Sequence, residues 1–266
     1  MLPEERRLQI VEQMRAKPLV RADDLAELFG VSIETVRRDL LALQRDGLIR
    51  RVYGGATASG PRAFEPPFDR RRTLHLEEKR AIARLAASLV RPGETLILDV
   101  GTSVAELARA LPADHRGAVL TNSLLVAAEL AERDELELHV SGGRVRAGDL
   151  ACAGSHAQTF FADCYADKAF LGSGGVHPEA GLTDYHLEEV PVRRTMLDHA
   201  AERYVLADSS KLGHVAVRKV CPLERLSAVI TDERVEPGIA RALQDKGVRL
   251  LVAPLGPQDD QSKEWP

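Results

Sequence analysis

The segment from Val20 to Leu40 limits what this chain can fold into more than any other part, because its pattern predicts two short helices joined by a tight turn. Gly30 lies between them, where glycine adopts a left-handed backbone at little cost. Ser32 is a good N-cap for the second helix, and Gly47 is predicted to end it. The buried stripe of the first helix is predicted to consist of Leu25, Leu28 and Phe29. The buried stripe of the second is predicted to consist of Val36, Leu40 and Leu43.

The outward face of the second helix carries side chains that suit contact with a nucleic acid. Thr35, Arg37 and Arg38 lie outside its apolar stripe, which is the layout needed to insert a helix into the major groove of DNA. Apolar spacing over residues 4–15 predicts another helix ahead of the pair. A three-helix bundle that makes only protein contacts is the alternative interpretation of this part of the chain.

The residues from Leu48 to Ala56 favour DNA contact over that alternative. An apolar stretch, two arginines and a Gly-Gly turn predict a short β-hairpin, the wing of a winged helix-turn-helix. Arg50 and Arg51 would meet phosphates there. Backbone amides near Gly54 could do the same without steric obstruction.

Charge alone does not identify a DNA-binding protein here. The formal net charge of the chain is −4. Residues 1–57 hold ten Lys and Arg against nine Asp and Glu, a charge of +1, and the remainder holds 26 against 31, a charge of −5. DNA affinity would therefore depend on where the arginines lie and on two copies acting together.

Residues 10–56 resemble the DNA-binding domain of the DeoR family of bacterial transcription regulators. The resemblance rests on Val31-Ser32, on Thr35-Val36-Arg37-Arg38-Asp39-Leu40 and on Arg51-Val52-Tyr53-Gly54-Gly55-Ala56. Arg21 departs from it, because many relatives carry a small capping residue there. The residues predicted to contact double-stranded operator DNA are Ser32, Thr35, Arg37, Arg38, Arg50, Arg51, Tyr53 and Gly54.

A stretch rich in Gly, Pro and Ser predicts an extended or mobile connector between two parts of the chain. We expect a winged helix-turn-helix domain at 1–57, a linker at 58–74, an α/β domain at 75–255 and a tail at 256–266. The run Asp69–Arg72 within the linker is either the solvated start of a helix or an extra contact with the DNA backbone.

Beyond the linker, apolar runs alternate with helical patterns, which predicts a mostly parallel sheet covered by helices on both faces. The predicted strands are 95–99, 118–121, 136–140, 168–171, 204–207, 229–230 and 250–252. The predicted helices include 104–111, 124–132, 187–196 and 239–244. The fold class is therefore α/β, with a small N-terminal winged helix-turn-helix domain and a larger domain built on this sheet.

Polar or glycine-rich segments follow five of these strands, and ligands of open α/β sheets bind beside such strand ends. The first segment, Asp99–Ser103, opens a helix whose free amides and hydroxyls can hold an anion. Asp99 and Asn122 offer groups for sugar oxygens, and Lys211 offers a cation. Any one segment is an ordinary turn, whereas five together predict one pocket for a small phosphorylated polyol or sugar. The other four segments begin at Thr121, Ser141, Gly172 and Asp208.

This half of the chain resembles the DeoR-family sensor domain through Asp99–Ser103, Thr121-Asn122, Gly142-Gly143, Leu187–Met196 and Asp208–Gly213. The resemblance implies a domain similar to ribose-5-phosphate isomerase that binds a sugar phosphate without turning it over. Arg193 departs from it, since relatives often have lysine there. The residues implied to bind the effector are Asp99, Gly101, Thr102, Ser103, Thr121, Asn122, Gly142, Gly143, Gly174, Asp184, Glu189, Asp208 and Lys211.

The leading interpretation is a repressor of a carbohydrate uptake or catabolic operon that a phosphorylated sugar or polyol releases from its operator. A homodimer or homotetramer would span two half-sites. One alternative is an aldose–ketose isomerase with an appended DNA-binding domain, for which Asp184 and Glu189 are the candidate bases. Another is an activator that answers to a different small ligand.

No catalytic residue, cofactor or metal site is expected from the sequence. The three cysteines are widely spaced, and no apolar run approaches the ~20 residues of a membrane span. The first residues lack the apolar core of a signal peptide. We therefore expect a cytoplasmic protein with reduced thiols and no membrane contact.

Overall fold

The computed structural model describes residues 2–16, 19–45, 49–57 and 65–256. The chain divides into two compact units, the N-terminal unit Met1–Pro66 and the C-terminal unit Pro67–Pro266. The predicted helix end at Gly47, the linker residues 58–64 and the tail residues 257–266 lie outside the described residues.

The N-terminal unit has the architecture of a winged helix-turn-helix. Its helices are α1 (Pro3–Ala16), α2 (Ala22–Phe29) and α3 (Ile33–Arg45), and its strands are β1 (Leu19–Arg21), β2 (Arg50–Val52) and β3 (Gly55–Thr57). The strands form an antiparallel sheet in the order β1-β3-β2, so the predicted wing hairpin is the pair β2–β3. Gly30 ends α2 in the left-handed conformation with φ of 61°.

The core of the N-terminal unit follows the predicted apolar spacing except at one position. Val36, Leu40 and Leu43 of α3 are buried as predicted. The prediction for Leu28 is wrong, because its side chain is 57% exposed. The buried stripe of α2 runs through Ala22, Leu25 and Ala26, which turns Leu28 toward solvent.

The C-terminal unit alternates strands and helices. Its helices are α4 (Phe68–Thr73), α5 (Leu76–Ala87), α6 (Thr102–Ala110), α7 (Leu124–Leu130), α8 (Ser155–Ala162), α9 (Glu189–Asp198) and α10 (Pro237–Asp245). Its strands are β4 (Leu96–Leu98), β5 (Ala118–Thr121), β6 (Glu137–Val140), β7 (Arg144–Arg146), β8 (Ala151–Ala153), β9 (Ala166–Leu171), β10 (Gly175–His177), β11 (Gly181–Asp184), β12 (Ala200–Leu206), β13 (Arg218–Cys221), β14 (Ala228–Asp232) and β15 (Leu250–Ala253).

A seven-stranded parallel sheet in the order β15-β14-β12-β9-β4-β5-β6 organises this unit. Side chains alternate between its faces, as they must in a strand. Leu96 and Leu98 pack with α5, α6 and α7 on one face, while Ile97 packs with α8 and α9 on the other. All seven predicted strands belong to this sheet, and because they are parallel their carboxyl ends lie along one edge.

Smaller antiparallel pieces complete the unit. β7 and β8 form a hairpin, and β10, β11 and β13 form a three-stranded sheet, none of which the sequence pattern predicts. Helix α4 lies inside the predicted linker and buries Phe68, which agrees with the interpretation of the basic run as a helix start. Among the described residues, no helix has the length and apolar character needed to cross a membrane.

Candidate functional site

The exposed face of α3 presents the predicted DNA-contacting residues. Ser32 caps the helix, since the N–H of Thr35 donates to its Oγ at 3.2 Å and the two hydroxyl oxygens are 2.9 Å apart. Arg37 and Arg38 project into solvent with side chains 62% and 80% exposed. The first turn of α3 is therefore ordered by a local hydrogen bond and followed by two cations that a polyanion can reach.

Asp39 anchors α3 from the opposite, buried side. Its Oδ2 accepts a hydrogen bond from Arg6 Nε at 2.6 Å, and its Oδ1 accepts one from Arg7 Nε at 3.0 Å. Both arginines belong to α1. Because a buried carboxylate requires charged partners, this cluster fixes α3 against α1 and so positions the exposed face of α3.

The turn between β2 and β3 carries the other predicted DNA contacts. Tyr53 is fully exposed there, next to Gly54 with φ of 78°. Arg51 is exposed on β2. The side chain of Arg50 lies outside the described part of the structure, so its phosphate contact stays a prediction.

The carboxyl ends of β4 and β9 bring an acid, a close backbone approach and a helix start together. Asp99 is fully buried, and its Oδ2 accepts from the N–H of Gly172 at 3.1 Å. Gly101 opens α6 with φ of 147°, and a Cβ there would lie 3.6 Å from Gly172 Cα. Thr102 and Ser103 form the first turn of α6. The amides of such a helix start favour an anion.

Arg193 of α9 lies against three of the acidic residues that the sequence predicted to bind the effector. Its Nε donates to Asp99 Oδ2 at 2.7 Å, its Nη1 pairs with Asp184, and its Nη2 lies 3.9 Å from Glu189 Oε2. All four side chains are buried. Asp184 also accepts from the N–H of His186 at 2.9 Å. These carboxylates therefore surround a cation that the protein itself supplies.

An ionic chain continues from Arg193 to α4. Arg146 Nε donates to Glu189 Oε1 at 2.6 Å, and its Nη2 donates to Asp149 Oδ2 at 2.7 Å. Arg71 Nη2 lies 2.6 Å from both oxygens of Asp149. Burial raises the pKa of Glu189, and the charge of Arg146 opposes that rise. The ionic chain is thus Arg71, Asp149, Arg146, Glu189 and Arg193.

Asp208 and Lys211 lie at the end of β12, as predicted. Asp208 Oδ1 accepts from the N–H of Ser210 at 3.1 Å. Burial works to raise the pKa of Asp208, but nearby cations including Lys211 and Lys79 outweigh it and hold the pKa below its usual value. Lys211 Nζ lies 6.0 Å from the centre of the Tyr185 ring, which connects this group to the neighbourhood of Asp184.

Lys79 of α5 is a candidate site residue that the sequence pattern does not reveal. It is buried, and its Nζ donates to the backbone carbonyl oxygens of Leu74, at 2.5 Å, and Arg71. Burial lowers its pKa to about 8, with Asp208 and Lys211 among the charges that act on it. Two lysines therefore flank Asp208 at this edge of the sheet.

Thr121 and Asn122 at the end of β5 differ in what they can offer a ligand. The Thr121 hydroxyl donates to Leu98 O at 2.6 Å and accepts from the N–H of Ser123 at 3.0 Å. The backbone therefore already uses this hydroxyl, and a contact between Thr121 and an effector stays a prediction. Asn122 Nδ2 donates to Cys152 O at 3.3 Å, while its Oδ1 has no hydrogen-bond partner within the described residues.

The other three predicted effector-site glycines, Gly142, Gly143 and Gly174, have backbone roles. Gly142 and Gly143 turn the chain between β6 and β7 with φ of 63° and 104°. A Cβ on Gly143 would lie 3.0 Å from Ala153 O, and one on Gly174 would lie 3.0 Å from Asp184 Cα. Gly174 thus permits close packing against the acid that Arg193 binds. A direct ligand contact by any of the three stays a prediction.

Two family descriptions match the sequence of these units. "DeoR-like helix-turn-helix domain" matches residues 6–61, and "DeoR C terminal sensor domain" matches residues 74–233. The chain belongs to the DeoR family of transcriptional regulators. The resemblance inferred from the sequence is confirmed, and this DeoR-family protein has the α/β fold class that was predicted.

Curated relatives align with this DeoR-family chain over nearly their whole length. The uncharacterized HTH-type transcriptional regulator YulB of Bacillus subtilis is 32% identical over 96% of this chain and 98% of its own. The putative aga operon transcriptional repressor of Escherichia coli O157:H7 is 32% identical over 93% of each chain. The glycerol-3-phosphate regulon repressor of Escherichia coli K12 is 30% identical over 91% of this chain and 95% of its own.

Solved structures align with parts of the chain. Ribose 5-phosphate isomerase A of Methanocaldococcus jannaschii aligns with 52% of this chain and 54% of its own, with 19% identity and a TM-score of 0.38. The probable sor operon regulator of Shigella flexneri aligns with 64% of this chain and 90% of its own, with 11% identity and a TM-score of 0.43.

Proposed function

We propose that this DeoR-family regulator represses a carbohydrate uptake or catabolic operon and is released from its operator by a phosphorylated sugar or polyol. The observation that carries the proposal is the clustering of an α6 helix start, buried acceptors and two lysines at the carboxyl edge of the parallel sheet. Relatives named as an aga operon repressor and a glycerol-3-phosphate regulon repressor support it. A regulator of this kind would work in the cytoplasm, where the DNA lies.

The chemistry of the sheet edge suits both ends of such an effector. Its phosphate would lie at the amides and hydroxyls of Thr102 and Ser103, within the field of Lys211. Its hydroxyl groups would donate to Asp99 Oδ1 and Asn122 Oδ1, two buried oxygens that have no hydrogen-bond partner among the described residues. Because a buried unpartnered acceptor is costly, a ligand hydroxyl that fills it gains affinity.

Release requires that the effector bind one arrangement of the protein better than the other. A tenfold loss of operator affinity needs a coupling of about 1.4 kcal/mol. Two N-terminal units, in a homodimer or homotetramer, would hold two half-sites in the effector-free protein. The proposed domain organisation is the one expected from the sequence, with one change. Helix α4, which lies within the expected linker, is assigned to the sensor domain.

We also propose that the C-terminal unit does not catalyse sugar-phosphate isomerisation. An isomerase needs a carboxylate base free to take a proton from the sugar. Both candidate bases are committed to arginines, Asp184 to Arg193 and Glu189 to Arg146. Steady aldose–ketose turnover by the purified chain would overturn this part of the proposal and favour the isomerase alternative.

Operator release measured by gel shift tests the proposal. The chain is titrated with a panel of sugar phosphates, the matching unphosphorylated sugars and inorganic phosphate. At least one phosphorylated compound should release the DNA and its unphosphorylated partner should not. An unchanged gel shift with the whole panel would refute the sensor claim, and stronger DNA binding would favour the activator alternative.

Two lysine variants sharpen this test. Lys211→Ala should bind operator normally but need more effector for release, because the variant lacks the cation that faces the phosphate. Lys219→Ala is the matched control, since Lys219 is exposed on β13. A Lys211→Ala protein that responds like the wild type would contradict the pocket assignment.

A further inference from the structure

The solvent-facing stripe of α3 has an unusual composition for a helix that meets DNA. Ile33, Glu34, Arg37, Arg38 and Leu41 recur at helical spacing on the exposed side, opposite the buried stripe. The stripe thus contains an acid and two aliphatic side chains beside the two arginines. Ile33 is 41% exposed and Leu41 is 37% exposed. Contact with DNA phosphates explains the two arginines. It explains neither the acid, which phosphates repel, nor the aliphatic residues, which gain nothing from a phosphate.

Glu34 lies in the first turn of α3. The N-terminal residues of a recognition helix are the ones that contact base edges. Ser32 caps α3 through its bond with the N–H of Thr35, so the backbone of this first turn is fixed before DNA arrives. Glu34 Oε2 is 3.9 Å from Arg37 Nη1, and Glu34 Oε1 is 3.9 Å from Arg38 Nε. Both distances exceed a hydrogen bond, so the carboxylate oxygens keep their capacity to accept.

The donors that a carboxylate can meet in the major groove are few. Cytosine presents N4–H₂ and adenine presents N6–H₂, and glutamate pairs with cytosine N4, whereas glutamine pairs with adenine N6 and N7. An exposed isoleucine in the same turn suits the C5-methyl group of thymine. The acid and the aliphatic residue of the stripe therefore have a common explanation in base reading.

We propose that Glu34 and Ile33 determine the operator sequence of this protein, Glu34 by accepting a hydrogen bond from cytosine N4 and Ile33 by contacting a thymine methyl at a neighbouring base pair. The inference rests on the proposed operator binding and adds which bases are read. Glu34 also discriminates against other sequences, because a carboxylate held in the groove without an amino donor is repelled by the phosphates.

Selection of duplexes from a random DNA library by the full chain tests the proposal. The wild type should select a cytosine at one position of each half-site. Glu34→Gln should select adenine at that position, and the preference of the wild type for cytosine over adenine should fall by about tenfold or more. Ile33→Ala should lose the thymine preference at the neighbouring position, whereas Ile33→Val, which keeps a branched aliphatic side chain, should retain it.

The controls separate base reading from simple charge effects. Glu5→Gln removes one exposed carboxylate from α1, where Glu5 accepts from the N–H of Leu2, and should leave the selected sequence unchanged. If Glu34→Gln selects the wild-type sequence and binds all duplexes more tightly by the same factor, Glu34 only repels phosphate and the inference is overturned. If the wild type selects no sequence at all, the proposed operator binding fails as well.

Discussion

Replacing Arg193 with methionine should destabilise the C-terminal unit more than removal of a single surface charge can. The variant keeps an unbranched apolar stem in place of the arginine stem but leaves Asp99 and Asp184 buried without their cation. Asp99 would retain the N–H of Gly172, and Glu189 would retain Arg146, so the cluster is not stripped of every partner. Removing one partner of a buried ion pair costs about 3–5 kcal/mol.

The expected change in melting temperature depends on the number of residues in the C-terminal unit. A change of 1 kcal/mol shifts the melting temperature of a domain of this length by about 2–4 °C, so Arg193→Met should lower it by about 10 °C. Arg193→Lys should recover part of the loss, since it restores the charge without the guanidinium geometry. The measurement is differential scanning calorimetry of the full chain.

Arg116→Met is the matched control for this experiment. Arg116 Nε and Glu135 Oε2 are 2.7 Å apart, the same distance as in the Arg193–Asp99 pair, but both side chains are more than half exposed. Such a pair contributes at most about 1 kcal/mol. Equal melting temperatures for the Arg193→Met and Arg116→Met proteins would refute the argument from burial.

Three further predictions concern other parts of the molecule. Asp39→Asn should weaken operator binding in a gel shift and lower the melting temperature of the N-terminal unit, because Arg6 and Arg7 lose their buried carboxylate partner. Effector affinity measured by calorimetry should stay unchanged, and a parallel loss of it would contradict this prediction. Gly101→Ala should weaken effector binding, because a φ of 147° suits glycine almost alone and an alanine there costs about 1–3 kcal/mol. An unchanged dissociation constant for the effector would argue against a close approach of the effector to the backbone at the start of α6. Burial lowers the pKa of His115 from 6.5. As the pH falls, the unfolded chain therefore binds a proton at this residue before the folded chain does. The free energy of unfolding should decrease as the pH is lowered through about 6.5, and His115→Leu should make this decrease smaller in denaturant titrations.

The large sheet could be predicted from the sequence because its strands are compact apolar runs bounded by turns. Each of the seven runs became a strand, and strand ends in a parallel sheet must share an edge, so the general place of the candidate site followed. The β7–β8 hairpin and the β10-β11-β13 sheet escaped prediction, since most of their strands, such as β7 and β10, set a single apolar residue among polar residues or glycine and so form no apolar run. Leu28 was mispredicted because spacing of three residues fits two neighbouring helix faces equally well.

The ionic part of the site could not be predicted, because its members are distant in the sequence. Arg71 and Asp149 are 78 residues apart, and Arg193 and Asp99 are 94 apart. No local pattern links such residues, and arginines on helix faces are ordinarily solvated. Lys79 was hidden for the same reason, since its helix position gave no sign that it lies beside Asp208.

The ionic chain has a consequence for the genetics of this regulator. Its far end, Arg71, belongs to α4, the first helix after linker residues 58–64 in chain order. Loss of the charge at Asp149 removes the carboxylate that joins Arg71 to Arg146, so it would interrupt the ionic chain between α4 and Glu189. Under the proposed function, we expect variants at Arg71 and Asp149 to bind operator but to respond less to the sugar-phosphate effector, although neither residue is among the predicted effector contacts.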